Sequence, residues 1–174
     1  NLNLKDGLSQ ISVLKIPGYQ RFHLVWYAQG LNRYDGSEFV IYKHDPKDSL
    51  TLSDNHIWSL AEDNDRNLWV GTARGLNKLD LKTNRIKPFV DERYGAFAKS
   101  EVRCLTVDSR NRLWIGTTKG LYLYVPAMDV FQRIDEREDK DEFISVVYET
   151  KQHQILIGTS TKGCLSANEH ESAT

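Results

Sequence analysis

The sequence predicts an all-β chain of β-propeller-type repeats, about four four-stranded antiparallel blades forming a partial propeller or open arc. Three observations predict it. The segment HIWSLAEDNDRNLWVGTARGLNKLDLKTNRIKPF, starting at His56, returns as VRCLTVDSRNRLWIGTTKGLYLYVPAMDVFQRI from Val102. Its anchors keep a fixed step: Trp69 and Trp114, Gly71 and Gly116, Gly75 and Gly120, and Asp63 and Asp108 each stand 45 residues apart. Within a copy, apolar residues alternate or run in short blocks between Gly, Asn and Asp, which is the pattern of strand and turn. A period of this length marks supersecondary units that bury their faces on one another.

The copies are taken in chain order. A partial first copy shows as GLNRYDG, from Gly30 to Gly36, within a blade placed at 8–44. The second, at 56–91, is read as strands Ile57–Ala61, Leu68–Thr72, Leu76–Asp80 and Ile86–Phe89, with the turn Asp63 to Asn67 between the first two. Pro88 has no N–H for a ladder, so the fourth strand belongs on the outer edge. Gly71, Thr72 and Gly75 are assigned to a tight turn between the second and third strands. Trp69 and Trp114 are expected to fill the space between neighbouring sheets, each ring burying about 200 Å². The third copy is placed at 101–134. A fainter fourth, FISVVYETKQHQILIGTSTKG from Phe143, is placed at 143–168, with Gly163 lying 43 residues after Gly120. The whole of 1–174 is therefore read as one propeller fragment.

Composition narrows the function classes. Apolar residues make up 40% and the formal charge is −1, so no electrostatic pull toward nucleic acid or an anionic membrane is expected. No apolar run nears the ~20 residues that cross a bilayer, and the polar start NLNLKDG is no signal peptide. The acidic stretch Asp135 to Glu142 reads as a solvated loop. Cys104 and Cys164 occupy different contexts in their repeats, and no disulfide is expected.

Catalytic chemistry has no foothold in the pattern. There is no nucleophile elbow, and His23, His44, His56, His153 and His170 show no metal-ligand spacing. Asp63, Asp65 and Asp108 recur at turns, where Asp caps its own backbone. Asp63 to Asn67 lacks the later Gly and Glu of a calcium loop. No catalytic residue, metal or cofactor is assigned, and no enzyme activity is expected. Binding is the better-supported class, because a propeller presents loops at the two ends of its channel. His56, Trp58 and Arg103 stand at or near the starts of innermost strands, where a sugar could meet an aromatic ring and hydrogen-bonding groups. Trp58 has no aromatic counterpart at Leu105 of the next copy, though inter-blade packing remains its first reading. No ligand residue is fixed at this stage.

The combination D-x-x-x-x-L-W-[VI]-G-T, G-L-x-x-[LY] and GLNRYDG followed by FVIYKHDPKDSLTLSDNHIWSL resembles the two-component regulator propeller repeats, over roughly residues 7 to 165. The resemblance implies the periplasmic sensor region of a hybrid histidine kinase of Bacteroidetes type. There the ectodomain has many more blades, the cue is an oligosaccharide, and an immunoglobulin-like domain, membrane helix, kinase and DNA-binding regulator follow. About four blades and none of those other parts are present in this chain, so kinase and DNA-binding activity are not carried over. The expected partners are an oligosaccharide and, through exposed blade edges, another copy of the chain. Alternatives are a protein-interaction scaffold, a propeller lyase or hydrolase, and a non-functional product of a broken gene.

That last alternative has a specific origin. The first copy reads IPGYQRFHLVWYAQ from Ile16 to Gln29, with no in-register Asp, Trp or Gly-Thr of the repeat. Codons permitted by Pro17 through Ala28, taken one base out of frame, spell QDIKGFIWFGT and restore all of them. The expectation is a one-base insertion after Ile16 with a compensating loss near Gln29. The same offset from Leu165 to Thr174 permits YRLMNMNQQ. The first blade is then expected to be distorted, with exposed edges that favour association.

Overall fold

The computed structural model describes residues 12–15, 23–27, 30–34, 38–134, 143–160 and 163–167. Among the described residues fifteen strands form four antiparallel sheets, each consecutive in the chain. The first holds β1 (Ser12–Lys15), β2 (His23–Tyr27), β3 (Gly30–Tyr34) and β4 (Phe39–Tyr42). The second holds β5 (Ile57–Glu62), β6 (Asn67–Thr72), β7 (Gly75–Asp80) and β8 (Arg85–Phe89). The third holds β9 (Val102–Val107), β10 (Leu113–Thr117), β11 (Gly120–Val125) and β12 (Val130–Arg133). The fourth has three described strands, β13 (Ile144–Glu149), β14 (Ile155–Thr159) and β15 (Gly163–Ala167). Strand order within every sheet follows chain order, which is the meander of a propeller blade.

Local chemistry explains why these segments pair. Between first and second strands the chain turns through a residue of positive φ: Arg66 at 70°, Asn111 at 61° and His153 at 62°. Asp63 holds its turn together, Oδ1 accepting from the N–H groups of Asp65 at 3.0 Å and Asn67 at 2.9 Å. Its Oδ2 accepts the indole N–H of Trp69 at 2.8 Å, and Asp108 does the same for Trp114 at 2.9 Å. The Asp-to-Trp spacing of the repeat is thus a hydrogen bond as well as a turn cap. In the fourth sheet Thr150 and Leu156 stand at these two places. There the Thr150 Oγ1 accepts from the Gln152 and Gln154 N–H groups at 3.3 and 3.1 Å.

The second-to-third-strand turn is made by Ala73 and Arg74, with Gly75 leaving it at φ +101°. Thr72 Oγ1 donates to the Gly75 carbonyl at 2.9 Å, and Thr117 repeats this toward Gly120 at 2.9 Å. Gly71 is not part of that turn, which corrects its sequence assignment. It lies inside β6, where an added Cβ would stand 2.5 Å from Ser59 Oγ and 2.7 Å from Val102 Cγ1 of the next sheet. Its role is close approach between sheets. Pro88 sits in β8, the last strand of its sheet, opposite Asn77.

Three apolar clusters join the sheets in sequence. Leu31 and Tyr42 of the first meet Leu52, Ile57, Leu68, Val70 and Leu79. Trp69, Leu76 and Phe89 of the second meet Val102, Leu113, Ile115 and Tyr122 of the third. Trp114, Leu121 and Leu123 of the third meet Ile144, Val147, Ile155 and Ile157 of the fourth. Trp69 is 2% exposed, as expected for a ring wedged between blades. Among the described residues no cluster joins the fourth sheet to the first, so the blades form an open arc.

The segment between the blades placed at 56–91 and 101–134 shows no strand pattern in the sequence. It folds as a 3₁₀ segment, Glu92–Lys99, kinked at Gly95 (φ 59°). That segment drives Phe97 (1% exposed) onto Phe131, with ring centroids 3.9 Å apart, and Tyr94 onto Phe89. It seals the outer part of the joint between the second and third blades.

In the first sheet the ladders β1–β2 and β2–β3 run without a register shift. Each of the other three sheets shifts register between its first two strands. The missing shift is what sets the first sheet apart, and no break of its ladder accompanies it. Of the segment read as out of frame, 16–22 and 28–29 lie outside the described residues, as does 168–174 of the tail.

Candidate functional site

Strand register places His56, Trp58 and Arg103 at one end of the arc. Ile57 pairs with Thr72 and Val102 with Thr117, so Trp58 and Arg103 hold equivalent positions on neighbouring inner strands. The counterpart of Trp58 is therefore Arg103, not Leu105, which matches Leu60. His56, Glu101 and Phe143 form a second equivalent set: their carbonyls accept from the N–H groups of Ala73, Thr118 and Ser160 at 3.0, 3.1 and 3.1 Å. Inner strands converge in a propeller, and this brings the two sets together.

The contacts are direct. The Arg103 guanidinium carbon lies 3.9 Å from the Trp58 ring centroid and 5.2 Å from that of Phe143. His56 packs its ring on Trp58 at 4.2 Å, tilted by 37°. Glu101 Oε2 holds an Arg103 terminal nitrogen at 2.9 Å. A guanidinium beside an aromatic face is attracted by the ring quadrupole, with roughly 0.5–2 kcal/mol at stake according to exposure. Arg103 Nε is buried and finds no acceptor. Trp58 stays 37% exposed. Packing between blades, its first reading, is thus correct, yet part of the ring still faces solvent. Phe143 and Glu101 were missed in the sequence, where their shared register with His56 was the available signal.

A separate cleft of about 450 Å³ is lined by none of the row residues. Its walls include His44, Leu52, Arg74, Pro88, Val90 and Lys99. Asp54 contacts one wall residue and one row residue, its Oδ2 pairing with Arg74 at 3.4 Å and its Oδ1 accepting the His56 N–H at 2.7 Å. His44 is fixed by its Nδ1, 2.6 Å from the Leu52 carbonyl oxygen. Aromatic, cationic and carboxylate groups therefore share one end of the arc.

The opposite end carries a Ser-His-Glu cluster. Glu149 accepts from the Ser109 N–H at 2.7 Å and hydroxyl at 2.6 Å, and lies 2.9 Å from His153 Nδ1. Ser109 Oγ lies 3.0 Å from that same Nδ1. A catalytic relay needs Ser and carboxylate on different ring nitrogens, so this cluster only clasps the third and fourth blades. Its donors, Ser109 first and then His153, pull the Glu149 carboxyl down to about 2. Among the described residues no group of three or more His, Cys, Asp or Glu is placed to hold a metal. Likewise among them, no helix is long and apolar enough to cross a membrane.

Cys104 and Cys164 are both free thiols. Cys104 lies in the joint between the third and fourth blades, where burial pushes it up to about 11.

Comparison with known proteins follows the same geometry. Residues 51–74 and 97–119 match the two-component regulator propeller family. No curated protein sequence matches the chain. Among solved structures, the extracellular domain of BT4673 from B. thetaiotaomicron, named for a hybrid two component system, aligns with a TM-score of 0.71 at 19% identity. That alignment covers 89% of this chain and 20% of the other. The extracellular domain of BT3049, also from B. thetaiotaomicron, aligns with a TM-score of 0.52 at 19% identity, covering 92% and 27%. The WD40 propeller domain of Doa1 aligns with a TM-score of 0.61 at 10% identity, covering 94% and 52%. The chain thus spans about a fifth of the BT4673 domain, and these likenesses show the propeller fold.

Proposed function

We propose that this chain, which carries two-component regulator propeller repeats, is a ligand-binding portion of the extracytoplasmic sensor region of a hybrid two-component histidine kinase. Its ligand is an oligosaccharide. The observation that carries this reading is the row His56, Trp58, Arg103 and Phe143, built from three successive blades at one end of the arc. Sugar rings offer C–H faces that stack on aromatic rings and hydroxyls that pair with guanidinium and carboxylate groups. Trp58 supplies the exposed ring, Arg103 the guanidinium stacked on it, and Glu101 and Asp54 the carboxylates. In the intact receptor, binding would bias the arrangement of paired ectodomains, by no more than the ligand's difference in affinity between the two arrangements. Periplasmic placement belongs to this same reading.

Calorimetry of the chain against a panel of neutral and acidic oligosaccharides tests it. One class of glycan should bind, and Trp58→Ala and Arg103→Ala should each weaken it about tenfold or more, by roughly 1.4 kcal/mol. Circular dichroism checks that both variants stay folded. Absence of binding across the panel, or binding indifferent to both substitutions, would sink the reading.

A further inference from the structure

The ladder between the first two strands slips by one residue in the second, third and fourth blades, at the same place in each. Ile57 pairs with Thr72 and Ser59 with Gly71; Val102 pairs with Thr117 and Cys104 with Gly116; Ile144 pairs with Thr159 and Val146 with Gly158. Two steps along the inner strand therefore face one step along its neighbour. The extra residues of these three β-bulges are Trp58, Arg103 and Ser145.

Each bulge separates what the fold fixes from what it leaves open. The residue before it is β-branched and buried in every case: Ile57, Val102 and Ile144. The residue after it stands opposite a glycine. One residue further back, the carbonyls of His56, Glu101 and Phe143 are tied to the next turn by the N–H groups of Ala73, Thr118 and Ser160. The extra residue has no partner across the ladder, and it is an indole, a guanidinium and a hydroxyl in the three blades. Trp58 and Ser145 are exposed and Arg103 is half-buried. A bulge takes its side chain out of the alternation of the strand and re-aims it. Changing side chains on an unchanging frame is how one fold comes to accept different ligands.

We propose that Ser145 is a third ligand-contacting position, and that the bulge residue of each blade determines which group of the ligand that blade accepts. Trp58 takes a C–H face, Arg103 a hydrogen-bond acceptor, and Ser145 an uncharged sugar unit. The Ser145 hydroxyl donates its proton to the Gly158 carbonyl at 3.0 Å, so its lone pairs are left to accept from a sugar hydroxyl, and it offers no countercharge. The proposal rests on the glycan reading above, to which it adds a residue and a specificity.

Calorimetry of the chain and its Ser145 variants against a neutral oligosaccharide and the uronate-containing counterpart of that oligosaccharide tests it. Ser145→Arg should raise the ratio of acidic to neutral affinity about tenfold or more, and Ser145→Glu should lower it by a like factor. Ser145→Thr, which keeps the hydroxyl, should stay within about threefold of the unsubstituted chain for both sugars. Arg and Glu both remove the hydroxyl bonded to Gly158, so a role confined to the strand would move the two variants in the same direction. Circular dichroism checks folding, and Ser145→Lys with Ser145→Asp repeats the comparison with other side chains. Binding by the unsubstituted chain, with ratios that ignore the sign of the introduced charge, overturns this proposal alone. Absence of binding by the unsubstituted chain overturns the glycan reading and the assignment of Ser145 with it.

Discussion

At the residue scale, the repeat is written in a carboxylate and an indole. Asp108 is 4% exposed and serves the Arg112 and Trp114 side chains together with turn N–H groups. Removing it leaves a buried indole donor without an acceptor, so Asp108→Ala should lose about 2–3 kcal/mol, read as a lower urea midpoint. The fourth blade changed both partners at once, to Thr150 and Leu156. A cycle of Asp108→Thr, Trp114→Leu and the double variant should accordingly show coupling of about 1 kcal/mol, the double variant costing less than the sum. Glu149 gives a pH dependence of definite sign. Its folded carboxyl is depressed to about 2 from the ordinary 4.5. The stability it contributes is present above about 4.5 and is lost as pH falls through the folded value. Glu149→Gln should flatten the melting-temperature profile between pH 4.5 and 2, and an unchanged profile would show the clasp to be inert. Both aspartates and tryptophans were legible in the sequence. The bond between them was not, because spacing alone does not distinguish a capped turn from a capped turn that also reaches the ring.

At the scale of the element, the hairpins of the second blade fall close to where alternation and turn residues place them. Local chemistry accounts for this: Asp63 closes one turn, Thr72 and Gly75 the next, and Pro88 ends the ladder. Gly71 behaves differently, since what excludes a side chain there is Val102 of another blade. Gly71→Ala should therefore cost about 1–3 kcal/mol by overpacking, measured by urea denaturation, although alanine suits a strand no worse than glycine. The 3₁₀ segment Glu92–Lys99 was invisible for the same reason. Tyr94 and Phe97 show no strand or helix period, and they fold onto rings supplied by β8 and β12. Asp129, on the β11–β12 turn, fastens the outside of this joint. Burial would raise its carboxyl, yet the Lys87 ammonium and the Tyr124 and Tyr94 hydroxyls hold it below the usual value.

Across the whole molecule, the arc is a series of joints of unequal quality. The second and third blades share the aromatic cluster and have neighbours on both sides. Hydrogen exchange should be slowest in β6, β7, β10 and β11, and faster in β13 to β15, whose apolar cluster among the described residues lies on one side. The first blade raises a question that register helps to answer. Trp26 pairs with Leu31 as Gly71 pairs with Leu76, and Tyr27 pairs with Gly30 as Thr72 pairs with Gly75. A tryptophan therefore occupies the glycine position. The out-of-frame reading QDIKGFIWFGT, laid over 17–27, puts Gly at 26, Thr at 27 and Trp at 24, each in the register of the complete repeats. Replacing 17–27 by that peptide should raise the melting temperature, and a fall would argue that the present residues evolved for their blade.

The sequence by itself determined the repeat, its period, the strands within each copy and the tryptophans between sheets. These depend on neighbours close along the chain or on one pattern stated twice. Tertiary structure alone decided that Trp58 meets Arg103, that Phe143 and Glu101 join them, and that Gly71 and Gly116 admit Val102 and Ile144 of the next blade. Those relations arise between blades about 45 residues apart. There, closeness is set by how sheets stack around an axis, and no local preference of the chain records it.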